Sequence, residues 1–409
     1  MNIIGKIYHR TFNLAMRMLM PLFPYREPKL LSDARETVRL IDEKGHKRVM
    51  IVTDKGVRNL GLTAPLERAV EDRGFELTVY DGTAQNPTSE NVEEARELYV
   101  ANECEVLIAF GGGSSMDCAK AVGARIARPD KSLAKMQGLI KVRRALPLFI
   151  AIPTTAGTGS ETTVAAVITD FETHRKYVIN DFSLIPHYAL LDPYVTVGLP
   201  KHLTATTGMD ALTHAIEAYI GKSRTRLTKK ASEDAVKLIF ENLEKAYLDG
   251  ADITARANML KASNLAGIAF TRSYVGYVHA VAHTLGGKYG VPHGLANAVL
   301  LPKVLRLYGS CVTKPLAELS RLVGLTDVSD SDETASARFI ERIERMNSDM
   351  QIPCKLDMIR EEDIPLLAKQ AHKEANPLYP VPKIWGAKEL EYIYLVCAGI
   401  TDSKPVEKK

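Results

Sequence analysis

Between residues 35 and 195, short runs of β-branched and other apolar residues alternate with stretches whose apolar positions recur at helical spacing. The runs are RVMIVTD (Arg48 to Asp54), ELTVYDG (Glu76 to Gly82), EVLIAFGGGS (Glu105 to Ser114), LFIAIPTT (Leu148 to Thr155) and YALLDP (Tyr188 to Pro193). A strand that is apolar at successive positions is covered on both faces, and helices between such strands make the crossovers of a parallel sheet. The pattern predicts an α/β nucleotide-binding type of domain over residues 31–197. Within it, VAAVITD and RKYVIND flank FETH and predict a hairpin added to that sheet. After LPKHLTA (Leu199 to Ala205) the periodicity becomes helical, through DALTHAIEAYI, TKKASEDAVKLIFENLEKAYL and SARFIERIERM, with no convincing strand. The expectation is a second, all-helical domain over 198–409, ending in a frayed charged tail, DSKPVEKK.

Residues 1–30 stand ahead of this pattern. Ile4, Ile7, Leu14 and Met18 fall near one helical face and Lys6, Arg10, Asn13 and Arg17 near another, which predicts a basic amphipathic helix stopped at Pro21. Its charges interrupt any signal-peptide core, and no small-residue cleavage site follows. The helix is expected to pack on its own protein or a sister subunit; the alternative is surface attachment or partner docking through residues 1–25.

Composition narrows the class. The 409 residues, 46% hydrophobic and 25% charged, describe a globular protein of roughly two or three domains. A net charge of +4 without dense Lys/Arg runs lacks the footprint of a nucleic-acid binder. Five scattered cysteines, never spaced as CxxC, indicate neither a disulfide framework nor a cysteine zinc site, so a reducing cytoplasm is expected. No apolar run reaches the roughly 18 residues of a membrane span.

Two loops suit a phosphate-bearing ligand. The strand EVLIAF runs into GGGSSMDCAKAVGA, where Gly111, Gly112 and Gly113 precede a helix starting near Ser114. Glycines let the backbone approach a pyrophosphate, which then faces the free N–H groups of the helix N-terminus. The spacing is not GxGxxG, and a plain strand-to-helix turn is the bland account. In PTTAGTGSET, Thr154, Thr155, Thr158 and Ser160 offer hydroxyls, while Gly157 and Gly159 leave room; a turn capping its own backbone is the bland account here. Two such loops at the same end of one parallel sheet favour a dinucleotide. Asp54 ends the first strand of the pattern, where a carboxylate either accepts from ribose hydroxyls or caps the next helix.

A metal constellation is the sharper signal. Asp210 and His214 are four apart in a helical pattern, as are His279 and His283, and His293 follows a glycine-containing turn before a fresh helical run. Spacing by four puts both side chains on one helix face, and helical ligands with a histidine from a loop can surround one ion. Imidazole and carboxylate donors without thiolate suit iron(II), zinc, manganese, cobalt or nickel.

GGGSSMD, PTTAGTGSE, GMDALTHAIEAY and HAVAHTLGGKYGVPHG, in this order, closely resemble the iron-containing (group III) alcohol dehydrogenase family, over residues 30 to 400. The resemblance implies a dehydroquinate synthase-like architecture, with an α/β domain for NAD(P), a helical domain for a divalent metal and an active site in the cleft between them. It implies Asp210, His214, His279 and His293 as ligands of Fe2+ (or Zn2+ or another divalent ion), with His283 beside the nicotinamide as the catalytic residue. It places Gly112, Gly113 and Ser114 at the pyrophosphate and Thr154, Thr155 and Thr158 along phosphates and ribose. Asn86 and Lys176 match further cofactor contacts. Asp54 matches a position where a carboxylate accompanies NAD rather than NADP. The expected activity is hydride transfer between a primary or secondary alcohol, or a diol, and NAD, in a homodimer. The rivals are an NAD- and metal-dependent lyase or cyclase without net nicotinamide turnover, a metallohydrolase, which leaves both glycine-rich loops unexplained, and a nucleotide-binding regulatory or structural protein with a vestigial site, against which the complete ligand set argues.

Overall fold

The computed structural model describes residues 3–19, 23–172 and 175–401; Pro21, residues 173 and 174 of the expected hairpin turn, and the tail 402–409 lie outside them. In chain order the strands are β1 (Lys29–Leu31), β2 (Arg48–Val52), β3 (Glu76–Tyr80), β4 (Val106–Gly111), β5 (Gly138–Leu139), β6 (Leu148–Pro153), β7 (Ala165–Thr169), β8 (Lys176–Asn180) and β9 (Tyr188–Leu190). The helices are α1 (Ile3–Leu19), α2 (Ala34–Glu43), α3 (Lys55–Asn59), α4 (Ala64–Asp72), α5 (Ser89–Ala101), α6 (Gly113–Ala127), α7 (Leu133–Met136), α8 (Lys201–Ile220), α9 (Arg226–Leu248), α10 (Ile253–Ser273), α11 (Tyr277–Tyr289), α12 (His293–Tyr308), α13 (Thr313–Leu322), α14 (Asp332–Asp349), α15 (Ile364–Ala375) and α16 (Ala387–Ala398). Two compact units divide them: Pro24–Gly198, and Leu199–Lys409 together with Met1–Phe23.

The first unit is α/β. Its six-stranded sheet runs β1-β9-β6-β4-β2-β3, parallel throughout. All six residues of β4 are buried, because successive side chains enter different cores. Met50, Val52, Leu107, Ala109, Phe149 and Ala151 pack in one, and Val49, Ile51, Val106, Ile108, Ile150 and Ile152 in the other. A sheet sandwiched in this way reads as continuous apolar runs. The chain leaves β2 for β3 on one side and returns to β4 on the other, so the order reverses between β2 and β4. Ligands collect at the carboxyl ends of strands beside such a reversal.

The hairpin forms, but not where the sequence suggested. β7 and β8 pair antiparallel from Ala165↔Asn180 to Thr169↔Lys176, in a separate three-stranded sheet of order β5-β8-β7. Its strands alternate buried and exposed positions, and Ala166, Ile168, Tyr177 and Ile179 join the core that includes α6. One covered face gives alternation, unlike the continuous runs of the main sheet.

In the second unit every described regular element is helical. No single described helix is long and apolar enough to cross a membrane. α1 belongs to this unit and packs on it through its polar face. His9 Nε2 donates to the Tyr379 carbonyl (2.8 Å), Arg10 to those of Val381 and Pro382 (2.7 and 2.8 Å), and Asn13 Nδ2 to that of Pro377 (2.8 Å).

The start of α12 lies hard against α8. A Cβ on Gly294 would stand 2.4 Å from the Thr206 carbonyl oxygen, a main-chain atom that cannot rotate away. We predict that Gly294→Ala forces the helices apart and destabilises the metal-free protein by about 1–3 kcal/mol. Urea unfolding measures this; unchanged stability would show that α12 slides freely.

Candidate active site

α8, α11 and α12 bring four side chains to one point. Asp210 and His214 leave the same face of α8, His279 comes from α11, and His293 is the first residue of α12. One ligand atom from each lies within 4.8 Å of the others. Asp210, His214 and His279 are buried, whereas the His293 side chain is 39% exposed, so the cluster has a wet side.

The donor set fits a cation. Asn297 Nδ2 donates to Asp210 Oδ1 (2.6 Å) and lies 3.2 Å from His279 Nε2 and 3.1 Å from His293 Nε2. An amide nitrogen carries two hydrogens, fewer than the three lone pairs that converge on it. Among the described residues, Asn297 Oδ1 is buried without a partner. Burial, and then the neighbouring His214, His293 and His283 rings, hold His279 well below the ordinary imidazole value, leaving it neutral and able to ligate.

Glu217, one turn beyond His214 on α8, orients His279. Its carboxylate accepts from the main-chain N–H of Gly276 (2.8 Å) and Val278 (2.8 Å) and from His279 Nδ1 (2.6 Å). Those donors fix the tautomer that turns Nε2 toward the cluster. Burial pushes the Glu217 carboxyl up, to about 7, against the hydrogen bonds that lower it.

His283 takes a different partner. Its Nδ1 lies 2.7 Å from Glu374 Oε1, which also accepts from the Tyr379 hydroxyl at 2.8 Å. Its ring stacks on His293, with centroids 5.2 Å apart. Burial lowers the His283 pKa, but the charge and hydrogen bond of Glu374 outweigh it, and the net shift is upward.

In the α/β unit the proposed cofactor residues gather beyond the strand ends. Gly112 caps α6 and has no side chain to satisfy its first N–H groups. A Cβ on Gly112 would be 3.6 Å from Thr155, and one on Gly113 3.1 Å from Thr158, so the two loops adjoin. This glycine-lined, uncapped helix start fits a pyrophosphate. Thr154 is buried and its N–H bonds to the Gly111 carbonyl. Ser114 Oγ donates to the Gln85 carbonyl, and Lys176 Nζ to Asn86 Oδ1 (2.7 Å). Asp54 does cap α3: its Oδ1 accepts from Val57 N–H (3.0 Å), while Oδ2 accepts from Ser115 Oγ (3.2 Å). A carboxylate has about four acceptor sites, so neither bond excludes a ribose hydroxyl.

Sequence reasoning missed four supporting residues. Glu217 was findable, since it continues the Asp210 and His214 face by one turn. Glu374 lies 91 residues from His283 and gave no local signal. Asp117 and Lys120 lie three apart on α6, the first part-buried and the second buried: Lys120 Nζ donates to the Ser160 and Ala165 carbonyls and to the Ser160 and Thr163 hydroxyls, and Asp117 accepts from Ser160 Oγ and Val167 N–H. They pin the threonine-rich loop to α6.

The family model for iron-containing alcohol dehydrogenases matches residues 32–193, and that for the C-terminal part of the same family matches 204–395. Over 380 residues the chain is 37% identical to the 1,3-propanediol dehydrogenase of Klebsiella pneumoniae, spanning 92% of this chain and 97% of that protein. It is 37% identical over 342 residues to the NAD-dependent methanol dehydrogenase of Bacillus methanolicus, spanning 83% and 90%. The solved alcohol dehydrogenase from Oenococcus oeni superposes with a TM-score of 0.87 at 33% identity, over 91% of this chain and 100% of that one. The chain therefore belongs to the iron-containing alcohol dehydrogenase family, and is a metal-dependent, NAD(P)-linked oxidoreductase that acts on alcohols and aldehydes.

Proposed function

We propose that Asp210, His214, His279 and His293 hold the divalent ion, Fe2+ by the family's chemistry, and that His283 carries the proton of the reaction. The convergence of the four ligand atoms within 4.8 Å, with His283 outside that set and paired to Glu374, supports this reading. When bound, ion and dinucleotide supply Lewis acidity and a hydride carrier. The chain supplies the proton path. His283 keeps its Nδ1 hydrogen and donates it in a hydrogen bond to Glu374, so the Nε2 lone pair is free to take the alcohol's proton, and Glu374 stabilises the imidazolium. Tyr379 holds Glu374 in place from behind. Substrates are primary alcohols, short diols and their aldehydes, which the names of the Klebsiella and Bacillus relatives support. Net change in nicotinamide absorbance with such a panel is the test; a product formed without it would favour the lyase reading.

Two predictions follow from these roles. Asp210→Ala and His279→Ala lose the ion, because three remaining ligands close the site poorly. His283→Ala keeps it and loses about 10²- to 10⁴-fold in kcat, the range of general acid–base catalysis. Metal analysis beside turnover decides: a metal-free His283→Ala with a loaded His279→Ala reverses the assignment.

The second concerns cofactor choice. Asp54 at the ribose favours NAD, since the 2′-phosphate of NADP meets a carboxylate there, partly offset by Lys55. Asp54→Asn keeps the α3 cap and removes the charge, and should shift the NADH to NADPH ratio of kcat/KM by at least about tenfold, or about 1.4 kcal/mol. An unmoved ratio would leave Asp54 as a cap alone.

A further inference from the structure

Helix α1 turns its apolar face outward. His9 and Asn13 are buried against residues 377–382, while Ile3, Ile4, Ile7, Leu14 and Met18 are 57% to 78% exposed. Isolated exposed apolar residues are ordinary, but these five lie along one side of one helix. A contiguous patch of that kind marks an interaction surface.

The flank of the patch is basic. Lys6, Arg10 and Arg17 lie along it, and no Asp or Glu precedes Glu27 in the chain. Arg10, Arg17 and Lys222 line an open surface hollow of about 320 Å³ with Asn13 and Leu14. Arg10 donates to two main-chain carbonyls, and among the described residues neither Arg17 nor Lys222 is paired with a carboxylate. Three cations around a hollow with one apolar wall match a phosphate that carries an alkyl chain. The phosphate is held by charge-assisted hydrogen bonds, and the chain continues along Leu14 onto the outward face.

We propose that α1, with Lys222, is an in-plane anchor for a bilayer surface containing anionic phospholipid, and that a lipid phosphate occupies the Arg10, Arg17 and Lys222 hollow. Apolar side chains enter the acyl boundary while the flanking cations stay at the headgroups, an arrangement that needs no membrane-spanning helix. A second copy of the chain fits the same face less well. Two such helices face to face bring two sets of cations together with no acid on either helix to pair them.

The test is sedimentation of the full-length enzyme with phosphatidylcholine vesicles, pure or containing about one third phosphatidylglycerol. The anionic vesicles should bind at least about tenfold more protein, and high salt should release it. Ile7→Asp with Leu14→Asp, and separately Arg17→Ser with Lys222→Ser, should each cut binding at least about tenfold while turnover of a soluble alcohol stays unchanged. Both pairs are exposed or line the hollow, so thermal unfolding should match wild type; if one pair fails to fold, the other decides. Wild type that ignores both vesicles, or binds both equally, overturns the proposal. So does an Ile7→Asp, Leu14→Asp protein that changes oligomeric state by light scattering while wild type shows no vesicle binding, because the face is then a subunit contact.

Discussion

The cluster proposed to hold the metal depends on one buried carboxylate. Glu217 accepts three hydrogen bonds at once, two from the main chain at the start of α11 and one from the His279 ring, and so ties α8 to α11 at the point where the ligands meet. The fit leaves no slack: a Cβ on Gly276 would lie 2.6 Å from Glu217 Oε1, so only glycine brings the α11 backbone this close. A carboxylate taken out of water is stable only when its lone pairs are filled, and here the same bonds that satisfy Glu217 also aim the ligand. Asp210, His214 and Glu217 thus share a single face of α8, with two jobs under the proposed reading, ligation and orientation.

A comparable arrangement holds the two loops proposed for the dinucleotide. Asp117 and the buried Lys120 lie on the helix that the glycine turn begins, and their bonds to Ser160, Thr163 and Ala165 fasten the threonine-rich loop to it. Burial lowers the Lys120 pKa, to about 8, and Asp117 and Glu161 resist the fall. Lys120 sits where it fixes the geometry of two loops, which is a use of a buried charge in specifying one arrangement rather than in adding stability.

The fold class was legible because two physical situations leave two patterns. Strands buried on both faces wrote continuous apolar runs such as VLIAFG, and helices wrote the wider period after Leu199. The hairpin was legible as a hairpin, but its sheet was not: neither β7 nor β8 records which neighbour it joins, and the alternating burial was the one clue. Spacing placed His279 and His283 equally as ligands, since both leave one face of α11. What separates them is partners on distant elements, Glu217 for one and Glu374 for the other, and neither contact has a local signature. For Asp54 the sequence offered two readings, and the cap is the one whose partners lie within the chain. The amphipathic character of α1 was also plain, but not its orientation. The carbonyls of residues 377–382 accept from His9, Arg10 and Asn13, and hydrogen bonding to that segment, rather than apolar burial, turns the polar face inward.

If Glu217 organises the four-residue cluster, metal affinity should fall in Glu217→Gln. Gln has the same shape but presents an N–H2 where a carboxylate oxygen accepts, so His279 loses its anchor while all four ligands remain. Competition between protein and a chelator for Fe2+ or Zn2+ should show affinity about 10- to 100-fold weaker than wild type, with the fold intact by circular dichroism. Affinity equal to wild type in a folded Glu217→Gln protein would mean that Glu217 does not orient His279 and that the four side chains are positioned by their own helices alone.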